Sequence, residues 1–127
     1  MEDNSHLINQ LYREISELSN AMSKNNEILA RLRKSYQDIS SSQEEFMQNK
    51  RYINQPELTA STWAGKHANE FNEIRKEIES SYMRIGNNDI EGMLNNIEDK
   101  ISYYEGLNKS LSNAISSKRN RISQLSD

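Results

Sequence analysis

The chain of 127 residues contains no cysteine, a single proline and only four glycines. The absence of cysteine excludes disulfides, thiolate metal sites and cysteine nucleophiles. No apolar run is long enough to cross a bilayer, and the N-terminus is acidic where a secretory signal needs basic residues. We therefore expect a protein that is made in the cytoplasm and does not insert into a membrane.

Positive charge is not in excess, because 16 Lys and Arg face 19 Asp and Glu and the formal net charge is −3. Binding to a phosphate backbone needs a surplus of basic residues, so nucleic acid is not an expected partner. The sequence also has no G-x-S-x-G motif and no glycine-rich phosphate loop. We expect neither an enzyme nor a cofactor.

Apolar residues recur at alternating spacings of three and four through the first half of the chain, a pattern typical of a coiled-coil seam. Asn25, Gln43 and Lys50 interrupt it. These polar residues have two interpretations. They fix the register or the choice of partner, or they are merely tolerated where a narrow interface is accessible to solvent. The apolar members are Ile8, Leu11, Ile15, Leu18, Met22, Leu29, Leu32, Tyr36, Ile39, Phe46 and Ile53.

A second helical arm follows the only proline, Pro56, which disfavours a helical residue before it. Gly86-Asn87-Asn88-Asp89 is the other cluster of helix breakers, and the apolar pattern changes phase there. We expect a bend or a short interruption at this cluster. The apolar positions of the second arm are Ala68, Phe71, Ile74, Ile78, Tyr82, Ile85, Ile90, Leu94, Ile97, Ile101, Tyr104, Leu111, Ile115, Ile122 and Leu125.

Together these patterns predict an all-α fold, an elongated antiparallel helical hairpin resembling a coiled coil. A single domain spans 1–127, with a helix over about 4–54, a turn over about 55–63 and a helix over about 64–126. This arrangement places Ile8 near Leu125 and Trp63 at the tip. Hydrophobic residues make up only 34% of the chain, so two helices bury little core and further helices from a partner are expected.

The only tryptophan lies in the predicted turn, in the run Thr62-Trp63-Ala64-Gly65-Lys66-His67-Ala68-Asn69-Glu70-Phe71. Taken alone, Trp63 is explained as a hydrophobic plug of the hairpin tip. A W-x-G-x-x-A-x-x-F run between two long amphipathic helices, however, resembles the WXG superfamily of type VII secretion. Within it, the long first arm looks most like the YwqH-like proteins associated with LXG-domain toxins. Only Trp63 and Gly65 match the named motif.

The resemblance implies an adaptor or targeting factor in a Gram-positive bacterium, which binds the helical N-terminal LXG region of a polymorphic toxin. A second small WXG-like helical protein is a further implied partner, and export with the toxin through type VII secretion is implied as well. The superfamily's export signal, tyrosine followed four positions later by Asp or Glu, matches none of the six tyrosines. We therefore expect a partner to supply that signal, or the chain to act on the cytoplasmic side.

The sequence is also compatible with two alternatives to the adaptor. The seam alone also suits a homo-oligomeric coiled-coil scaffold without a secretion role. His67 and Glu70 are three positions apart, a spacing that metal ligands on one helix face have in di-metal bundles. A metal site needs several further converging ligands, so an exposed polar pair is the favoured interpretation and no metal is predicted.

Overall fold

A computed structural model describes residues 3–55 and 66–126, and no strand occurs among them. The predicted all-α helical hairpin is confirmed. The predicted turn lies almost wholly outside the described residues, and Trp63 and Gly65 with it. The elements are helix α1 (Ser5–Gln48), a 3₁₀ helix (Asn49–Asn54), helix α2 (Lys66–Arg84), a π-helical turn (Ile85–Asp89) and helix α3 (Ile90–Ser126).

The first arm ends in 3₁₀ geometry and not in continuous α-helix as far as residue 54. Gln55, which precedes Pro56 in the sequence, has φ −110° and ψ 140°, the extended backbone that a following proline favours. Its amide donates to the carbonyl of Tyr52 at 3.3 Å. The restriction before proline therefore accounts for where this arm stops.

The chain groups into two compact units, one formed by Met1–Lys34 with Glu98–Asp127 and the other by Ser35–Ile97. In the first unit Asn4 Nδ2 donates to the carbonyl of Leu125 at 3.2 Å, and Arg33 Nη2 donates to Glu105 Oε1 at 3.2 Å. Residue numbers rise along α1 as they fall along α3, so the two helices are antiparallel. The expected proximity of the two ends of the chain is confirmed.

The core of the first unit is a cluster of three buried isoleucines, Ile15, Ile115 and Ile122. Full burial of such a side chain stabilises by about 1.5–3 kcal/mol relative to exposure. Four residues of α1 with the same heptad spacing as Ile15 pack against this cluster, namely Ile8, Leu11, Leu18 and Met22. The spacing of three and four thus turns one face of α1 towards α3 along this unit.

In the second unit the end of α1 faces α2. The rings of Phe46 and Tyr82 stack with centroids 3.7 Å apart and an interplanar angle of 5°. The Tyr82 hydroxyl also donates to the carbonyl oxygen of Phe46. That carbonyl belongs to the last turn of α1, just before the 3₁₀ helix. Tyr82 therefore joins α2 to the end of α1 by both apolar packing and a hydrogen bond.

The interruption predicted at Gly86-Asp89 is confirmed as a π-helical turn at Ile85–Asp89. A π turn accommodates one residue more than an α turn. The seam accordingly advances by five positions from Ile85 to Ile90 and then resumes its helical spacing. Downstream, Leu94 is buried, so the shift in phase keeps the apolar face of α3 directed inward.

Gly86 and Gly106 are expected to respond oppositely to alanine. A Cβ on Gly86 would overlap Sδ of Met47, whereas a Cβ on Gly106 would meet nothing within 4 Å. Alanine is favoured over glycine in a helix by about 1 kcal/mol, so Gly106→Ala should raise the free energy of unfolding by about 0.5–1 kcal/mol. Gly86→Ala should lower it, because Met47 has to move. Urea unfolding followed by circular dichroism measures both, and an equal gain would contradict the close approach at Gly86.

Candidate functional site

The polar residues that interrupt the seam each meet a polar partner on the facing helix. In the first unit Asn25 Nδ2 donates to Asn108 Oδ1 at 3.0 Å, and Asn108 Nδ2 donates to Asn26 Oδ1 at 2.9 Å. Half-buried amides need such partners, because an unsatisfied buried donor or acceptor destabilises the fold. This contact forms only when α1 and α3 pair in the observed register.

Gln43 and Lys50 make the corresponding contacts in the second unit. Gln43 Nε2 donates to the carbonyl oxygen of Gly86 at 2.6 Å and to Glu91 Oε2 at 3.0 Å. Lys50 Nζ lies 3.4 Å from Glu79 Oε1. The sequence shows that these residues break the apolar pattern, but the identity of their partners depends on a register that the sequence does not give. Of the two interpretations left open, these contacts favour a role in fixing the register.

Glu14 and Lys118 form a close ion pair between α1 and α3, with Nζ 2.7 Å from Oε2. The hydrogen bond from Lys118 holds the pKa of the Glu14 carboxyl below its ordinary value, although partial burial opposes the shift. Since the lowered pKa belongs to the folded state, the pair stabilises the fold above the ordinary pKa of glutamate. That contribution is lost as the pH falls through the lowered pKa.

We expect Glu14→Gln to destabilise the protein at neutral pH and to have little effect in acid, because protonation of Glu14 breaks the same pair. Urea midpoints of the two proteins at about pH 7 and about pH 3 measure the difference. Glu17→Gln, at an exposed position one turn along α1, is the matched control and should leave the midpoint unchanged at both values. A gap between wild type and Glu14→Gln that is equal at both pH values would contradict the expectation.

The predicted interface residues differ in burial. Ile15, Leu29 and Ile115 are buried. Most of the others are half-buried between facing helices, namely Ile8, Leu11, Leu18, Met22, Leu32, Tyr36, Ile39, Phe46, Ile97, Ile101 and Leu111. Three residues, all on α2, are exposed: Phe71, Ile74 and Ile78. The helical pairs therefore cover the predicted seam on α1 and α3 and leave its α2 portion accessible.

These three residues, which we call the α2 stripe, share one helix face because they are spaced by three and four. Ile74 is 53% exposed and Ile78 is 49% exposed. Single exposed apolar residues are common on protein surfaces. A row of them along a helix is typical of a face that binds another protein. The α2 stripe is therefore the candidate functional site.

The immediate surroundings of the α2 stripe are charged. Arg75 places its guanidinium carbon 4.8 Å from the centroid of the Phe71 ring. His67 Nδ1 lies 3.9 Å from Glu70 Oε2, so this pair shares a helix face as its spacing predicts. Within residues 3–55 and 66–126 no group of three or more His, Cys, Asp or Glu side chains is arranged to hold a metal ion.

The stripe does not lie in an enclosed cavity. Nearby depressions are open, such as a shallow one on α2 lined by Lys76, Glu79, Ser80 and Met83. No helix of the described residues is both long and apolar enough to span a membrane. What this surface offers is an accessible apolar row on a helix, which suits contact with another macromolecule.

Comparison with known proteins gives one family. The sequence model of the family described as YwqH-like matches residues 7–127. No curated protein and no solved structure matches the chain. The matched segment includes α1, α2 and α3 almost in full.

Proposed function

From the premise that the chain belongs to the YwqH-like family, we propose that it is a non-enzymatic adaptor. Its partner is the helical N-terminal LXG region of a polymorphic toxin, which it helps present to a type VII secretion system. A second small WXG-like helical protein joins this complex. The proposal draws on the resemblance of the Trp63-Gly65 run to the WXG superfamily and on the accessible surface of α2.

The observation that carries the proposal is the exposure of the α2 stripe. Its residues continue the pattern that is buried elsewhere in the chain, yet about half of the Ile74 and Ile78 surface remains accessible. Apolar side chains repeating at three and four along a helix are best covered by a second helix, whose own row interdigitates with them. A helical partner segment therefore fits this surface.

The same stripe would also serve a homo-oligomeric scaffold, which is the alternative. The polar contacts at Asn25, Gln43 and Lys50 disfavour one form of this scaffold, assembly through the long arms, because they are satisfied within one chain. Pairing α1 with another copy of α1 would remove these partners from the seam and leave half-buried polar groups without them, which is unfavourable. Self-assembly through the long arms is therefore disfavoured.

The test is affinity capture of the tagged chain from its native host at moderate salt, followed by mass spectrometry. We expect recovery of a protein with an LXG region, with or without a second small helical protein. A bait carrying Ile74→Asp and Ile78→Asp should lose that partner and serves as the matched control. Recovery of the chain alone, together with a concentration-independent homodimer in solution, would replace the adaptor with the scaffold.

A further inference from the structure

A row of glutamates runs along one edge of the α2 stripe. Glu70, Glu73 and Glu77 each stand one position before a member of the stripe, Phe71, Ile74 and Ile78 respectively. Consecutive helical residues are about 100° apart around the axis, so the glutamates form a parallel row beside the apolar one. All three glutamates are exposed. We call these three residues the acidic row.

The opposite edge of the stripe faces α1 and is already occupied. Tyr82 stacks on Phe46, and Glu79 pairs with Lys50 at 3.4 Å. Arg75 is half-buried and lies over the Phe71 ring. A helix laid on the α2 stripe therefore has its other flank beside the acidic row, and the charge of that flank affects how well it binds.

We propose that the α2 stripe and the acidic row together bind an amphipathic helix of the partner that carries Lys or Arg beside its apolar residues. This inference rests on the proposed function and adds the chemistry of the partner helix. Opposite charges at the rim of an interface accelerate association and select among partners. Like charges in the same position disfavour a wrong partner.

The charge pattern also argues against a second copy of this chain as the occupant. Two α2 helices that paired antiparallel through the same face would form a symmetric contact, in which each patch meets its own copy. The acidic row of one copy would then lie against the acidic row of the other. A basic partner helix removes this repulsion, so it is the favoured occupant.

Two synthetic peptides of about 20 residues test the charge preference, since shorter isolated helices are marginal in water. Both carry the same leucine row with spacing three and four, and they differ only in having lysine or glutamate along one flank. Isothermal titration with the full chain should show the lysine peptide binding tighter by on the order of tenfold, as each exposed ion pair contributes up to about fivefold. The preference should shrink between about 50 mM and about 300 mM salt.

Charge reversal on the protein tests which residues determine the charge preference. Glu73→Lys with Glu77→Lys should invert the preference, so that the glutamate peptide binds tighter. Glu44→Lys with Glu45→Lys changes the net charge equally at exposed positions of α1 and should leave the lysine preference intact. Inversion by the first pair and not by the second supports the acidic row as the determinant.

Equal binding of the two peptides, or no binding of either, would overturn the inference. The adaptor proposal fails separately, through a capture experiment that recovers no LXG-region protein. If Ile74→Asp with Ile78→Asp abolishes toxin capture while the two peptides bind equally, the adaptor stands and only the basic flank is excluded. If the lysine peptide is preferred but no toxin is captured, the surface chemistry stands and the toxin assignment is wrong.

Discussion

Ile115→Ala is expected to lower the free energy of unfolding by about 2–4 kcal/mol, the range for removing most of a buried isoleucine and leaving a cavity. Ile115 is only 7% exposed and belongs to one cluster with Ile15 and Ile122. The narrow interface between α1 and α3 has few other buried residues to compensate. Since a domain of this size is stable by about 5–15 kcal/mol, the loss is a large share of the total.

Urea unfolding followed by circular dichroism measures this effect, with Leu7→Ala as the control. Leu7 is 46% exposed on α1 in the same unit, so its truncation should change stability by no more than about 0.5 kcal/mol. Equal losses for the two variants would show that burial of Ile115 does not hold the helices together in solution.

Ile74→Asp combined with Ile78→Asp is expected to weaken binding of the captured toxin region by more than about 100-fold. Central apolar residues of an interface contribute 2 kcal/mol or more each when truncated, and a buried carboxylate adds a desolvation penalty. Because both isoleucines are about half exposed in the free chain, the variant should keep its helicity. The two substitutions should therefore weaken binding without unfolding the chain.

Titration of the purified toxin region measures this loss, and thermal unfolding provides a second readout. A saturating partner should raise the melting temperature of the wild type through linkage and leave that of the variant unchanged. Met93→Asp combined with Tyr103→Asp introduces the same two charges at other exposed positions, on α3, and should bind as the wild type does. Binding that survives in the α2 variant would remove the stripe from the interface.

Much of the fold could be predicted because a heptad spacing in the sequence places the apolar side chains on one face of a helix. Positions such as Ile8, Leu11 and Ile15 were expected on one face, and they pack together in the first unit. The breakers at Gly86-Asp89 predicted an interruption, and a π turn is found there. In both cases the structure depends on residues within a few turns of one helix.

The candidate site was predictable only in part. Ile74 and Ile78 have the same spacing as buried residues, so periodicity alone could not show that they stay accessible in the single chain. Likewise, Gln43 was visible as a polar break, but its bond to the Gly86 carbonyl depends on the pairing of two segments 43 positions apart. Exposure and partner identity follow from tertiary register, which local patterns do not encode.

The π turn makes the second arm tolerant of a change in chain length at one place. Deleting one residue from Ile85–Asp89 would let the backbone return to ordinary α geometry, because the extra residue of the π turn would be gone. The apolar pattern would then advance by four positions in place of five, so the side chains after the turn would keep their orientation relative to α2 and Leu94 would stay buried. The same deletion inside α2 would instead rotate every following side chain by about 100°. In the course of divergence, a gap of one residue should therefore be accepted far more readily within Ile85–Asp89 than within α2.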